Sequence, residues 1–452
     1  MDFDNVVQGV HGYGDEKEYC IPSDPLVRNH LDWWQDQKLG FMVHWGPYSQ
    51  WGVVESWALS SDDAEWSRVG LSFDDGDEKL KDRYFALNKT FNPVRFAPEE
   101  WADAAVMGGF RYLVFTTKHH DGFSMYDTSL SDYKITSLDC PYHANKNADI
   151  CKVLFNAFRG KGMGIAAYFS KADWHSPFYW EPGSSFLNSS RGPTYSPKMH
   201  PDLWNQFSEF ARGQILELVS GYGPIDILWF DAGWVNPRSD GQDLHMDKLA
   251  AECRELQPGL IIADRTVGGQ YENYLTPEQT VPAEPLLVPW ESSITMGTSF
   301  SYKYDDAYKS LKELVHLLIE VVAKGGNLVI NVGAQPDGRL PQPAMDRMKQ
   351  LGQWLDEYGE AIYGTRPRSP YVVNDFYFTE KNDVVYCFHF QEEAKEGGED
   401  SCLIPISDQF NRVDLIGAQQ NMPFWCQVDG IKVNVSAATR RDSIVNVYRL
   451  SK

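Results

Sequence analysis

The sequence predicts an α/β protein in which a parallel sheet closed as a barrel is followed by a smaller antiparallel β-domain. Three observations support this fold class. The chain has 452 residues, more than one ordinary hydrophobic core accommodates. Apolar runs of strand length alternate with helix-period segments through most of the chain. After about residue 366 this alternation gives way to short strands separated by turns.

The predicted barrel strands are continuous runs of β-branched, aromatic and other apolar residues, which is typical of strands buried on both faces. They cover Leu39–Trp45, Arg111–Phe115, Gly164–Phe169, Ile225–Phe230, Leu260–Ala263 and Asn327–Val332. Amphipathic segments between and after them predict helices. These cover Asp149–Lys161, Leu203–Ser220, Tyr308–Ala323 and Gln342–Tyr358. An open doubly wound sheet is the alternative, but no GxGxxG or GxxxxGK[ST] motif supports a nucleotide site.

The last part of the chain alternates short strands with turns and predicts an antiparallel β-sandwich. Its predicted strands are Tyr371–Phe378, Val384–Phe390, Ser401–Pro405, Arg412–Leu415 and Ile444–Tyr448. We therefore predict a catalytic barrel over residues 1–366 and a β-sandwich over residues 367–452. A module that packs against the barrel is favoured over a carbohydrate-binding module.

Composition excludes several classes of partner. A net charge of −22 argues against nucleic acid and against an anionic membrane surface. The 15 tryptophans suit a site that stacks on the apolar faces of sugars, although a large barrel also buries many aromatic side chains. The seven dispersed cysteines form no CxxC motif, which indicates free thiols and neither a disulfide framework nor a zinc site.

The amino terminus predicts no export signal. Met1–Val10 carries acidic residues where a secretory signal needs basic ones, and it lacks an apolar core. No run approaches the roughly 18 apolar residues of a membrane span. The sequence as numbered therefore predicts a cytoplasmic protein, or a secreted or periplasmic one if a signal preceded it. Oligomeric state cannot be predicted from the sequence.

Polar and aromatic side chains end several predicted strands, where a barrel places its active site. His44 is near the end of the first strand, the adjacent pair His119 and His120 follows the second, and Tyr168 is near the end of the third. Asp231 ends the apolar run DILWFD, a position where burial is costly unless the carboxylate has a partner or a task. A helix N-cap is the alternative role for this aspartate.

Further carboxylates lie in loops beyond the fifth strand. Glu278 is in a TPEQ segment, Glu291 follows Pro289 and Trp290, and Glu284 lies between them. A glycosidase needs two carboxyl groups, one ionised as nucleophile or base and one protonated to assist the leaving group. Asp231 with one of these glutamates would provide such a pair, although a loop glutamate is more often simply solvated.

The order of the motifs resembles that of the retaining α-L-fucosidases of glycoside hydrolase family 29, from about residue 31 to residue 366. The motifs are GFMVHWGPYSQWG, ESWA, FTTKHHDGFSMYDTSLSDY, GMGIAAYFSKADWH, DILWFDAGW, PWESSITMGTSFSY, LIEVVAKGGNLVINVGAQPDGRLP and GEAIYGTRP. The resemblance implies an irregular (β/α) barrel with a C-terminal β-sandwich, an exo-acting hydrolase that removes terminal α-L-fucose, and no metal or other cofactor.

The resemblance also implies roles for individual residues. The nucleophile would be Asp231, which ends the W-x-D segment that starts at Trp229. The residues that resemble fucose-binding positions are His44, Trp57, His119, His120, Tyr168, Trp229 and Arg265. The acid/base is less regular in the family: Glu278 is the first choice, Glu291 is the alternative or a substrate-positioning residue, and Glu284 is a third possibility.

Two other functions stay open at this stage. The chain could act on another sugar of fucose-like configuration, such as galactose, or it could bind fucose without cleaving it. Because Asp231 and several candidate acids are present, hydrolysis of fucosylated glycans is the predicted function. The linkage that is cleaved cannot be predicted, because variable loops hold the leaving group.

Overall fold

The structure is a computed structural model that describes residues 13–71, 77–183, 191–390, 401–418, 420–435 and 444–452. The predicted absence of a signal at Met1–Val10 concerns residues outside these ranges. Within them, no helix is both long enough and apolar enough to cross a bilayer.

Seven parallel strands form a curved sheet in the first part of the chain, in the order β5-β4-β3-β2-β1-β7-β6. Their ranges are Leu39–His44 (β1), Tyr112–Lys118 (β2), Gly164–Ser170 (β3), Ile227–Asp231 (β4), Ile261–Asp264 (β5), Glu291–Thr295 (β6) and Asn327–Gly333 (β7). Strand β6 was not predicted, because its sequence ESSIT is polar and short and lacks the apolar run by which the other strands were found.

An irregular segment closes the barrel between β5 and β6. Glu272 bridges to Ala263 of β5, whereas Leu275 and Glu278 bridge to Trp290 and Ser293 on the β6 side. A barrel has no free sheet edge, so closure satisfies the backbone groups that β5 and β6 would otherwise expose. The same closure brings Glu278 to the barrel wall.

Helices surround the sheet. They are Pro25–Gln37 (α1), Ala64–Ser67 (α2), Asp77–Phe85 (α3), Pro98–Met107 (α4), Ile150–Gly160 (α5), Pro201–Gly221 (α6), Met246–Leu256 (α7), Leu311–Ala323 (α8) and Gln342–Tyr358 (α9). Alternate strand residues point to opposite sides of the sheet. In β4, Leu228 and Phe230 join the large outer core with the helices, whereas Ile227 and Trp229 join the inner core of the barrel. This alternation turns Asp231 toward the barrel mouth.

Helix α1 fills the bottom of the barrel. Leu31 and Trp34 of α1 belong to the same buried cluster as Met42, Tyr112 and other inward side chains. The Trp34 ring stacks on Tyr274 at a centroid distance of 4.2 Å. Among the described residues, the barrel interior is therefore packed at its base, and it opens at the carboxyl ends of the strands.

The last part of the chain consists of antiparallel strands. They are Arg366–Val373 (β8), Phe376–Lys381 (β9), Val384–Phe390 (β10), Ser401–Ile404 (β11), Arg412–Leu415 (β12), Phe424–Gln427 (β13), Gly430–Asn434 (β14) and Val445–Ser451 (β15). These strands form two sheets, one of five strands in the order β12-β15-β10-β9-β8 and one of three strands in the order β11-β14-β13. A buried cluster contains side chains from both sheets, including Val385 and Ile431.

The five-stranded sheet also packs on the barrel. Phe388 and Val447 belong to the outer core of the barrel. His316 of α8 stacks on Phe390 at 3.7 Å and is hydrogen bonded to the carbonyl oxygen of Ile444. We propose on this basis that residues 367–452 form a stabilising domain, as the sequence predicted.

The packed barrel interior predicts an effect of a single added methyl group. A Cβ at Gly40 of β1 would lie 2.5 Å from Cζ of Tyr112 and 2.8 Å from Cγ2 of Val329. We therefore expect Gly40→Ala to lower the free energy of unfolding by about 1–3 kcal/mol, measured by denaturant titration. The control is Gly160→Ala at the end of α5, where an added Cβ has no neighbour within 4 Å and the free energy should change by no more than about 1 kcal/mol. Equal effects of the two changes would contradict the packing argument.

Candidate active site

A cavity of about 400 Å³ opens at the carboxyl ends of the barrel strands. Most of the residues predicted for the site line it: His44, Trp57, His119, Tyr168, Trp229, Asp231, Arg265 and Glu278. Most of these side chains lie at or next to the carboxyl end of a strand, which brings them together. Trp57 lies instead in the connection after β1, and Glu278 in the segment between β5 and β6. His120 lies directly behind this lining, whereas Glu291 lies elsewhere.

Asp231 is the carboxylate at the base of the cavity, with 15% of its side chain exposed. Tyr168 donates a hydrogen bond of 2.5 Å to Oδ2, and Arg265 donates one of 3.1 Å to Oδ1. His120 Nε2 lies 3.8 Å from Oδ2. Burial alone would raise the pKa of Asp231, but the charge of Arg265 and then that of His120 outweigh burial and lower the pKa. Asp231 is therefore ionised at neutral pH.

Arg265 joins two carboxylates. Its Nη1 donates to Asp231, and its Nη2 donates to Oε2 of Glu278. The guanidinium is a rigid planar fork, so a carboxyl group on each of its terminal nitrogens lies close to the other. Both carboxylates reach the cavity, which is the arrangement that a two-carboxylate glycosidase requires.

The histidines have their Nδ1 atoms tied to the protein. His44 Nδ1 donates to Oδ1 of Asn331 at 2.8 Å, and the Asn331 amide is oriented by its own bond to the carbonyl of Phe300. His119 Nδ1 is hydrogen bonded to Ser56 at 2.5 Å, and His120 Nδ1 to Ser170 at 2.7 Å. The rings are thereby held in one orientation.

Burial keeps two of these histidines neutral. It lowers the pKa of His44 to about 4 and the pKa of His119 well below its usual value. A neutral imidazole with one nitrogen engaged by the protein offers the other to a hydroxyl group as donor or acceptor. Rings of this kind suit a ligand rich in hydroxyl groups.

Another grouping concerns metal binding. His119, His120 and Asp231 each place one possible ligand atom within 4.8 Å of the others. Arg265 already provides a positive charge 3.1 Å from Asp231, and a cation at the same carboxylate would be repelled by it. That no metal takes part stays a prediction.

Glu291 lies at the amino end of β6, away from the cavity, with 1% of its surface exposed. Tyr112 donates to Oε2 at 2.5 Å, while the Trp229 indole N–H donates to Oε1 at 3.1 Å and Tyr274 at 3.4 Å. Burial raises the pKa of Glu291 to about 7, although these hydrogen bonds oppose the rise. Glu291 therefore reaches the cavity only through Trp229, whose ring lines it.

Glu55 is a cavity residue to which the sequence analysis gave no role. It lines the cavity and is 2% exposed, and its Oε1 forms no hydrogen bond with the described residues. Burial, and then the negative charge of Glu278, raise the pKa of Glu55 to about 8. The signal in the sequence is its place in the ESWA motif, two residues before Trp57.

Comparisons with known proteins agree with this geometry. The family model described as "Alpha-L-fucosidase" matches residues 8–360. The chain belongs to the alpha-L-fucosidase family. The predicted resemblance and the predicted enzyme class, a glycoside hydrolase with alpha-L-fucosidase activity, are thereby confirmed.

Individual members of the family match over most of their length. The plasma alpha-L-fucosidase of Rattus norvegicus is 29% identical over an alignment of 373 residues that covers 79% of this chain and 76% of the relative. The structure of alpha-L-fucosidase isoenzyme 1 from Paenibacillus thiaminolyticus is 26% identical, with a TM-score of 0.76 and coverage of 94% and 99%. That of the Thermotoga maritima alpha-fucosidase with a mechanism-based inhibitor is 26% identical, with a TM-score of 0.74 and coverage of 96% and 100%. The predicted fold class is confirmed.

The raised pKa of Glu291 predicts a pH-dependent stability. The carboxyl ionises near pH 4.5 when exposed and near pH 7 in the fold, so between these values the unfolded chain has lost a proton that the folded chain keeps. The contribution of Glu291 to stability is therefore fully present below pH 4.5 and decreases toward pH 7, by about 1.4 kcal/mol per pKa unit. Since glutamine does not titrate, the loss of stability in Glu291→Gln should be larger at pH 5 than at pH 7.5 in denaturant titrations. A loss that is independent of pH would show that Glu291 does not titrate in this range.

Proposed function

We propose that this alpha-L-fucosidase acts with net retention, with Asp231 as nucleophile and Glu278 as acid/base, on terminal fucose of fucosylated glycans. The observation that carries the proposal is the Arg265 guanidinium, which holds both carboxylates at the cavity. Retaining glycosidases separate their two carboxyl groups by about 5–5.5 Å, a spacing compatible with two carboxyls on one guanidinium.

In the first step, Asp231 attacks the anomeric carbon as the bond to the leaving oxygen breaks. The lowered pKa of Asp231 keeps it ionised, and the hydrogen bonds from Tyr168 and Arg265 hold one orientation for attack. In the second step, a water molecule deprotonated by Glu278 displaces Asp231 from the sugar, and two inversions give retention.

The leaving group needs a proton, and Glu278, the first candidate to provide it, forms an ion pair with Arg265. Glu55 is another possible proton donor. Its pKa of about 8 means that it holds a proton at neutral pH, and its carboxyl interacts electrostatically with Glu278. Glu55 is therefore the second candidate for the acid, ahead of Glu291, which is buried under Trp229.

The fucose hydroxyls would be bound by His44, His119 and His120, whose ring orientations the protein holds through Nδ1. Trp57 and Trp229 present aromatic surface to the cavity, which suits the apolar face and the methyl group of a 6-deoxy sugar. A protein that only bound fucose would not need an ionised carboxylate at the cavity base.

Removing the nucleophile tests the proposal. Asp231→Asn keeps the size of the side chain but abolishes its charge, so turnover of a nitrophenyl fucoside should fall by about 10³-fold or more while fucose still binds. A 2-fluoro-fucosyl fluoride should label Asp231 in the wild-type enzyme, read by peptide mass spectrometry. Near-normal turnover by the variant, or labelling of another residue, would refute the assignment.

Chemical rescue identifies the acid/base. An enzyme without it should still form the fucosyl-enzyme from nitrophenyl fucoside, whose leaving group needs little protonation, and should stall at the second step. Azide needs no deprotonation, so in Glu278→Ala it should restore turnover and give α-fucosyl azide, seen by NMR. Glu55→Ala and Glu291→Gln are the comparison variants, and neither should be rescued. Rescue of Glu55→Ala alone would move the role to Glu55.

A further inference from the structure

A buried carboxylate organises the rim of the cavity. Asp63, with 4% of its side chain exposed, accepts hydrogen bonds from Arg191 Nε at 3.1 Å and from Arg191 Nη2 at 2.7 Å. It also accepts from the Trp66 indole at 3.1 Å and from Ser60 at 2.7 Å. One carboxylate thus fixes a guanidinium and an indole, and both of these side chains line the cavity.

Arg191 is held at its backbone as well. Its carbonyl oxygen accepts from Trp174 Nε1 at 3.2 Å and from the Tyr179 hydroxyl at 3.1 Å. Its guanidinium carbon lies 4.7 Å from the Trp57 ring and 5.9 Å from the Trp234 ring. The side chain of Arg191 is therefore held in one place although 33% of it is exposed. It is restrained by a bidentate ion pair, two hydrogen bonds to its backbone and two aromatic neighbours.

The rim lies apart from the residues proposed for the chemistry. Asp63 and Trp66 belong to the connection between β1 and β2, and Arg191 to the connection between β3 and α6. Arg191 is partly exposed, whereas the carboxylates it could have paired with, Asp231 and Glu278, are both held by Arg265. If fucose occupies the base of the cavity, the group attached to it must leave along this rim.

The chemistry of the rim indicates the kind of group. Arg191 donates to Asp63 through Nε and Nη2. The N–H groups of its Nη1 form no hydrogen bond with the described residues and can donate to a ligand. The charge of Asp63 balances that of Arg191, which removes most of the attraction for an anion. Directional donors beside indole faces suit a neutral sugar, with hydroxyl groups at its edge and C–H groups on its face.

We propose that Arg191 and Trp66, held in place by Asp63, bind the sugar to which fucose is attached and so favour saccharide leaving groups. This inference rests on the proposed function, since it presupposes fucose at the base of the cavity. Arg191 and Trp66 are specificity-determining residues, and Asp63 is a positioning residue that acts through them.

Two substrates separate the rim from the chemistry. α-Fucosyl fluoride has a leaving group of one atom that reaches no rim residue and needs little protonation. The second substrate is a reducing fucosylated trisaccharide that the wild type cleaves. Its leaving group is a saccharide, which can reach the rim. For Arg191→Met and Trp66→Ala, we expect kcat/KM to fall about 10- to 100-fold on the trisaccharide and to stay within about twofold on the fluoride. Asp63→Asn should show the same selectivity.

Arg212→Met is the matched control. Arg212 forms the same bidentate pair, with Glu252 at 2.8 and 2.5 Å, and is similarly exposed at 31%, but it is a residue of α6 whose ion pair connects α6 to α7. It should change neither value of kcat/KM. If Trp66→Ala does not fold, as judged by circular dichroism, Trp66→Phe keeps an aromatic face without the N–H and should show a smaller loss on the trisaccharide.

The outcomes are distinguishable. Equal losses on both substrates, or no loss on the trisaccharide, would overturn the role of the rim and leave the proposed function intact. A wild-type enzyme that does not hydrolyse α-fucosyl fluoride would instead refute the proposed function.

Discussion

The arrangement of the active site depends on one guanidinium. Arg265 is buried and contacts both Asp231 and Glu278, so it provides the positive charge that makes two ionisable carboxyl groups tolerable in a low-dielectric cavity. It lowers the pKa of Asp231 against the effect of burial. At Glu55 nearby, burial and then the negative charge of Glu278 instead raise the pKa to about 8.

A column of aromatic side chains links this site to the base of the barrel. Tyr168 stacks on Trp229 at 5.1 Å, and the Trp229 indole donates to Glu291. Tyr274 donates to the same carboxyl and stacks on Trp34 of α1. The buried Glu291 carboxyl therefore connects several aromatic side chains inside an apolar barrel. Its hydrogen bond with Trp229 fixes the orientation of the indole ring that forms part of the cavity wall. Glu291 itself does not line the cavity and contacts the cavity wall through its hydrogen bond to Trp229.

The mouth and the base of the cavity are both organised by a charged side chain that contacts two others. At the base, one arginine holds two carboxylates; at the rim, one carboxylate, Asp63, holds one arginine and one indole. In both places a buried charge is compensated by a bidentate or bridging contact, which fixes geometry as well as charge. The two arginines differ in exposure: Arg265 is buried, whereas Arg191 is partly exposed and forms no hydrogen bond through Nη1 with the described residues.

The sequence by itself determined the fold class, the family and the inward-facing residues at the strand ends, because strand alternation and the order of motifs are local properties of the chain. Asp231, His44 and Tyr168 were predicted at the cavity for this reason, and the structure brings them there. Tertiary structure alone separated Glu278 from Glu291. Both follow a proline-containing loop, but backbone bridges of the closing segment place Glu278 at the cavity, whereas β6 starts with Glu291 near the packed base of the barrel. The raised pKa of Glu55 could not be predicted from the sequence either. It results from burial and from the charge of Glu278, a residue distant in the sequence.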